Sequence, residues 1–126
     1  KKDGETIKYV ENQTDEMCLE AVKQNVSFLK HIKNQTKKIC TEALLRSGGA
    51  IEFINNKTLE LCIKAVEKDG NALFFIENQT EEICLTAVKQ NGLALKYVKK
   101  QTPEICLEAV TQNKYAIKFV NKNIFK

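Results

Sequence analysis

The residues of this sequence best suited to metal or redox chemistry are five cysteines and a single histidine. The cysteines stand at Cys18, Cys40, Cys62, Cys84 and Cys106, each 22 residues after the last. Paired zinc ligands usually lie about two to four residues apart, so this spacing does not build a zinc knuckle. Five is an odd number and excludes a fully paired disulfide framework. If the cysteines are instead equivalent positions of stacked repeats, they lie about 10 Å apart, beyond the ~7 Å over which a disulfide closes. Small, apolar, buried cysteine is the better account, and free thiols suit a reducing intracellular compartment. Any catalytic triad would have to use His31, which occupies a slot held elsewhere by Phe or Tyr. There is no glycine-rich phosphate loop, paired-histidine motif or acidic metal loop. Accordingly, no catalytic residue, cofactor site or metal site is expected, and the chain is not expected to be an enzyme.

The cysteine interval is the period of the whole chain. Thr14, Thr36, Thr58, Thr80 and Thr102 precede the cysteines by four residues, and Ala21, Ala43, Ala65, Ala87 and Ala109 follow them by three. Tyr9, His31, Phe53, Phe75, Tyr97 and Phe119 form an aromatic ladder, beside a branched one of Val10, Ile32, Ile54, Ile76, Val98 and Val120. Self-similarity at a fixed period without insertion marks a solenoid. Each copy reads as two short helices. The threonine suits an N-cap, and Pro103 falls at the first helical position, where a missing N–H costs nothing. Glu60, Glu82 and Glu104 suit the first turn, although Lys38 breaks that rule. Asn25, Gly48, Gly70, Asn91–Gly92 and Asn113 suit left-handed C-caps. In the second helix Ala72, Leu73, Phe75 and Ile76 make one broad apolar face. The first groups Ile83, Cys84, Leu85, Ala87 and Val88. Faces this wide belong to repeats buried between neighbours, and helices this short are marginal alone.

The expected fold is all-α: a right-handed-type α-solenoid of stacked two-helix repeats, with about five and a half repeats and about 11 short helices. The array spans 1–126, with an unpaired second-type helix at about 5–12 and repeats at 14–35, 36–57, 58–79, 80–101 and 102–123. At ~10 Å per packed helix pair it forms a rod or gentle superhelix ~50 Å long. Because Lys1 aligns near the end of a first-type helix, the chain is expected to be a fragment of a longer array at its N-terminus. At the other end Ile124 replaces the capping threonine, so the repeats are expected to stop.

Composition narrows the function. No run approaches the ~20 apolar residues of a membrane helix, so no membrane partner is expected. No signal-peptide pattern opens the chain, which gives secretion no support. Sequons at Asn12, Asn25, Asn34, Asn56 and Asn78 are explained by turn chemistry without glycans. The excess of 20 basic over 16 acidic residues is too small for a nucleic-acid footprint over the whole chain. The C-terminal third is nevertheless basic through Lys96, Lys99, Lys100, Lys114, Lys118, Lys122 and Lys126, which leaves a nucleic-acid partner as an alternative. Variation between copies collects in two slots. One reads Lys8, Lys30, Glu52, Phe74, Lys96 and Lys118; the other reads Ser27, Gly49, Asn71, Leu93 and Tyr115. Phe74, Leu93, Tyr115, Lys96 and Lys118 are therefore the candidate partner-binding residues, with packing against the adjacent loop as the competing explanation for the apolar ones.

The stretch NQTEEICLTAVKQNGLALKYVKKQTPEICLEAV resembles a helical-repeat family of undefined function, and the resemblance extends over residues 7 to 120. That family is typical of large DNA viruses of amoebae, with relatives in bacteria and phages. The resemblance implies a viral helical repeat and supplies no activity or catalytic residues. The second copy, ICTEALLRSGGAIEFI, departs most from the pattern. The expected function is a non-enzymatic scaffold for a protein partner or a structural assembly. Nucleic-acid binding and a virion structural role are the alternatives.

Overall fold

The computed structural model describes residues 14–126. The helix expected over 5–12, Lys8, Tyr9, Val10 and the Asn12 sequon lie outside the described residues. Within them the fold is an all-α solenoid that alternates two kinds of helix. The α-helices are α1 (Asp15–Gln24), α2 (Lys37–Arg46), α3 (Leu59–Lys68), α4 (Glu81–Gln90) and α5 (Pro103–Gln112). Between and after them run 3₁₀ helices η1 (Val26–His31), η2 (Gly48–Phe53), η3 (Gly70–Phe75), η4 (Gly92–Tyr97) and η5 (Lys114–Phe119). Each α-helix packs on its own 3₁₀ helix and, where the described residues include them, on the next α-helix and the preceding 3₁₀ helix, and no described contact between elements skips a repeat.

The α-helices start as their sequence dictates. The hydroxyls of Thr14, Thr36, Thr58, Thr80 and Thr102 accept from the backbone N–H groups of Met17, Ile39, Leu61, Ile83 and Ile105 at 3.1–3.3 Å. Pro103 sits in the first turn of α5. The inner faces bury Cys18, Cys40, Cys62, Cys84 and Cys106 together with the alanine ladder.

The second helices differ from expectation in kind. They are six-residue 3₁₀ helices, longer than that geometry usually runs. Their buried positions explain why. Gly48 and Ile51, Gly70 and Leu73, and Gly92 and Leu95 are each three apart and buried, with Ile54, Ile76 and Val98 continuing the spacing at the extended C-caps. A three-residue apolar period forms a straight ridge on a helix of 3.0 residues per turn and a drifting one on an α-helix.

The expected left-handed C-caps are not found: no described residue has a positive φ. Asn25, Ser47, Asp69, Asn91 and Asn113 are extended, with φ between -150 and -160. One residue serves two helices. Its N–H donates to the alanine carbonyl four residues back, closing the α-helix. In four copies its side-chain oxygen then accepts from the N–H two residues on, opening the 3₁₀ helix at 2.9–3.0 Å. Ser47 makes no such side-chain bond.

The glycines serve close approach. A Cβ on Gly48 would lie 2.5 Å from the Ala65 carbonyl oxygen, and those on Gly70 and Gly92 would lie closer still to the carbonyls of Ala87 and Ala109. At these points the α-helix of one repeat rests directly on the 3₁₀ backbone of the repeat before. The N–H groups of Gly70 and Gly92 also donate to Oε1 of Gln90 and Gln112, both at 2.6 Å.

A second glutamine clamps successive repeats. Gln79 Nε2 donates to the Tyr97 carbonyl at 2.9 Å while its Oε1 accepts from Lys99 N–H at 2.9 Å. Gln35 bonds in the same way to Phe53 and Asn55, and Gln101 to Phe119 and Asn121. Lys57 holds this slot between η2 and α3, and it donates only within its own repeat, to the Ile54 carbonyl at 2.8 Å. Lys68 likewise stands where Gln90 and Gln112 reach the glycine. The junction between repeats 36–57 and 58–79 therefore lacks both amide locks.

Gly70→Ala should destabilise the array by about 2 kcal/mol, because backbone would have to move. Gly49→Ala should be nearly neutral, since an added Cβ there meets nothing nearer than 3.5 Å. Denaturant midpoints of the two variants test the contrast. Lys57→Gln should raise stability by about 1 kcal/mol by restoring the inter-repeat amide bonds, read as an upward shift of the same midpoint.

Candidate functional site

The five cysteines are free and buried. The thiols of Cys40, Cys62, Cys84 and Cys106 point at the end of the preceding repeat, with Cys106 Sγ 3.2 Å from Gln101 Oε1 and Cys84 Sγ 3.6 Å from Gln79 Oε1. Cys40 and Cys62 face the backbone carbonyls of Gln35 and Lys57 at 4.0 and 3.8 Å. Burial raises every thiol pKa, and for Cys84 burial, reinforced by the Glu81 carboxylate, pushes it up to about 11. Burial thus favours the protonated form, whereas thiol reactivity and metal ligation both need the thiolate. Among the described residues no three metal-ligating side chains converge. His31 is half-buried, its ring tilted against Phe28 at 6.4 Å.

The aromatic ladder forms one edge of the array where the 3₁₀ helices end. The preceding slot overlies it with an offset of 23 residues. Lys30 Nζ lies 5.9 Å from the Phe53 ring, and Lys96 Nζ lies 5.8 Å from the Phe119 ring. Phe74 makes the equivalent contact edge-on to Tyr97 at 5.3 Å, and meets Phe75 at 5.2 Å. The slot thus stacks a cation or a ring on the next repeat's aromatic. An exposed contact of this kind contributes about 0.5–1 kcal/mol. Lys96 also covers Tyr97 at 5.3 Å, Lys118 covers Phe119 at 5.3 Å, and Lys114 covers Tyr115 at 5.4 Å.

Of the sequence-chosen residues, Phe74, Lys96 and Lys118 are gathered on this edge. Phe74 remains 65% exposed despite its two ring contacts. Tyr115 is equally exposed, whereas Leu93 is half-buried against the core and presents less of a free anchor. Sequence reasoning missed a groove of about 750 Å³ beside the junction that lacks both amide locks, lined by Lys33, Gln35, Lys37, Ile54 and Leu59. Its signal was Lys57 in the NQT slot. A Lys37–Glu60 ion pair at 3.1 Å spans the same two repeats, both partners largely exposed.

Residues 80–125, the last two repeats, match a family model described as a domain of unknown function, DUF4116. No curated protein and no solved structure matches the chain. No helix among the described residues is long and apolar enough to cross a membrane.

The native thiols should resist a disulfide reagent at pH 8 and all react in denaturant. For a thiol the folded form holds its proton above the usual 9.0, so the unfolded chain releases protons first. Stability contributed by neutral Cys84 should therefore be complete below pH 9.0 and fall as pH rises towards about 11. Denaturant midpoints across that interval test this, and Cys84→Ala should flatten the fall.

Proposed function

We propose that this chain is a non-enzymatic helical-repeat scaffold that binds a protein partner in a reducing compartment. Its aromatic and basic edge is the contact surface. Phe74 and Tyr115 act as anchors, Lys96 and Lys118 supply charge, and Leu93 lies behind them as support. The observation that carries this reading is Phe74, a large ring left 65% exposed in a slot that its neighbours fill with charge. Its edge contacts to Phe75 and Tyr97 hold it in place before any partner arrives, which lowers the ordering cost of binding. Aromatic anchors flanked by cations are the composition of interface hot spots.

Nucleic-acid binding is the second reading, supported by the lysines stacked over rings on the same edge. Counterion release would make such binding fall steeply with salt. A structural role within a virion is a special case of the scaffold reading, in which the partner is another particle component.

Affinity capture from the natural source, with native chain beside a Phe74→Ala/Tyr115→Ala variant, tests the proposal. One protein should be retained at 150 and 500 mM salt by the native chain (about a twofold change at most), and lost at least tenfold with the variant. Retention that collapses over this range and is displaced by single-stranded oligonucleotide would sink it in favour of the second reading.

A further inference from the structure

The loops that lead into the α-helices leave grooves between neighbouring repeats, and two of these grooves differ for a reason written in their residues. Between α4 and α5 the groove holds about 300 Å³, with Glu77 and Glu81 on one side and Lys99 and Lys100 on the other. Lys99 Nζ crosses it to the Glu77 carboxylate at 2.9 Å. Between α2 and α3 the corresponding groove holds about 750 Å³. There Lys33 and Asn55 occupy the slots of Glu77 and Lys99, two repeats earlier, and that bridge cannot form.

The open groove has the volume of a ligand cleft. Its floor is apolar, since the lining residues Cys40, Ile54 and Leu61 are buried. Leu59 carries that surface outward. It is 50% exposed, in a slot that holds Asp15, Lys37, Glu81 and Pro103 in the other repeats. An acidic side chain would suit the first turn of α3 better, so Leu59 does nothing for the helix that an ordinary residue of this slot would not.

The rim is polar and basic. Lys33 and Lys37 are exposed there, and Glu60 is the one carboxylate among the lining residues. Lys57, between the lining residues Asn56 and Thr58, adds a third cation, held on the Ile54 carbonyl at 2.8 Å. The Lys37–Glu60 pair is exposed on both partners and worth little, so an incoming carboxylate can replace Glu60. The side chains of Asn34, Asn55 and Asn56 are exposed on the same rim, each with an amide that can both donate and accept.

We propose that this groove binds an extended segment of a partner protein in which a leucine or isoleucine is flanked by acidic residues. The aliphatic side chain rests against Ile54 and Leu59. In an extended chain its neighbours point the other way, towards the rim, where their carboxylates meet Lys33, Lys37 and Lys57. The peptide groups of an extended segment have no partners of their own and take the three asparagine amides. A helix, already satisfied internally, would leave those amides unused. A nucleic-acid backbone would match the lysines without the apolar floor, and a fatty acid would match both without the amides.

The inference shares a protein partner with the scaffold reading but uses a different surface from the Phe74 edge. Its test is fluorescence anisotropy with three labelled pentapeptides: alternating glutamate and leucine, the same with lysine for glutamate, and the same with alanine for leucine. The first should bind the chain at least about tenfold tighter than either of the others. Lys33→Glu/Asn55→Lys, which installs the bridge of the narrower groove, should weaken that binding at least about tenfold. Leu59→Glu should do the same with an unchanged circular dichroism spectrum, since Glu81 already fills this slot in α4. Equal binding of the three peptides, or binding indifferent to these variants, would overturn the proposal. So would tighter binding of a single-stranded oligonucleotide that the same variants abolish, or of octanoate where no peptide binds. Phe74→Ala/Tyr115→Ala should leave peptide binding unchanged, and its loss there would also count against the groove. Protein capture through the Phe74 edge with no peptide bound would defeat this inference alone. Peptide bound at the groove with no protein captured at that edge would defeat the edge reading alone.

Discussion

An α-helix rests directly on the backbone of the 3₁₀ helix before it where neither side interposes a side chain, and this contact sets the spacing at three of the four described junctions, Val26 standing at the fourth. Gly48, Gly70 and Gly92 clear one side, and Ala65, Ala87 and Ala109 present a carbonyl with only a methyl beside it. Once the two backbones meet, the remaining features fall within reach. The cysteines are pressed against the preceding linker, and the paired glutamines can span from one repeat to the next. The ring-on-ring and cation-on-ring stack at the edge follows the same rise, since one repeat and one further residue bring Phe74 to Tyr97.

The repeat frame was legible because its signals are local. Threonine, proline and cysteine act within one turn of their own helix, so their residue types report their roles directly. The 3₁₀ helices were less visible. Ala72, Leu73, Phe75 and Ile76 satisfy an α-helical face nearly as well as a three-residue ridge, and only the burial of Leu73 and Ile76 with exposure at Phe74 separates the two. Glycine was visible but misread. Its commonest use past a helix end is a left-handed turn, yet here the backbone stays extended and the hydrogen atom matters for clearance. The clamping glutamines could not be read from their surroundings because their partners lie 18 and 20 residues away. The candidate edge was half legible: the odd residue in a slot identifies Phe74, but its contact with Tyr97 requires the superposition of two repeats.

Polar satisfaction and compliance are linked in this molecule. No described buried side-chain nitrogen or oxygen lacks a partner, and there is no buried charge. Inter-repeat specificity therefore rests on neutral amides, whose net worth is about 1 kcal/mol each. In a nearest-neighbour stack such differences act junction by junction. Lys57 and Lys68 leave one junction without either amide lock, and a groove of about 750 Å³ opens beside it. Among the described junctions this is thus the place where opening is easiest.

The double use of Asn25, Ser47, Asp69, Asn91 and Asn113 has an evolutionary consequence. With a single residue closing one helix and opening the next, there is no slack in which to lengthen the connection. The other connection is pinned by glutamine to its neighbour. Such a chain can change its length by whole units, through duplication or loss of 66 nucleotides of coding sequence (three per residue of the 22-residue period) and their multiples. Within a unit it is left to diversify by substitution at slots that face outward. Its history should be written in copy number and surface chemistry, with hardly any record of loops growing or shrinking.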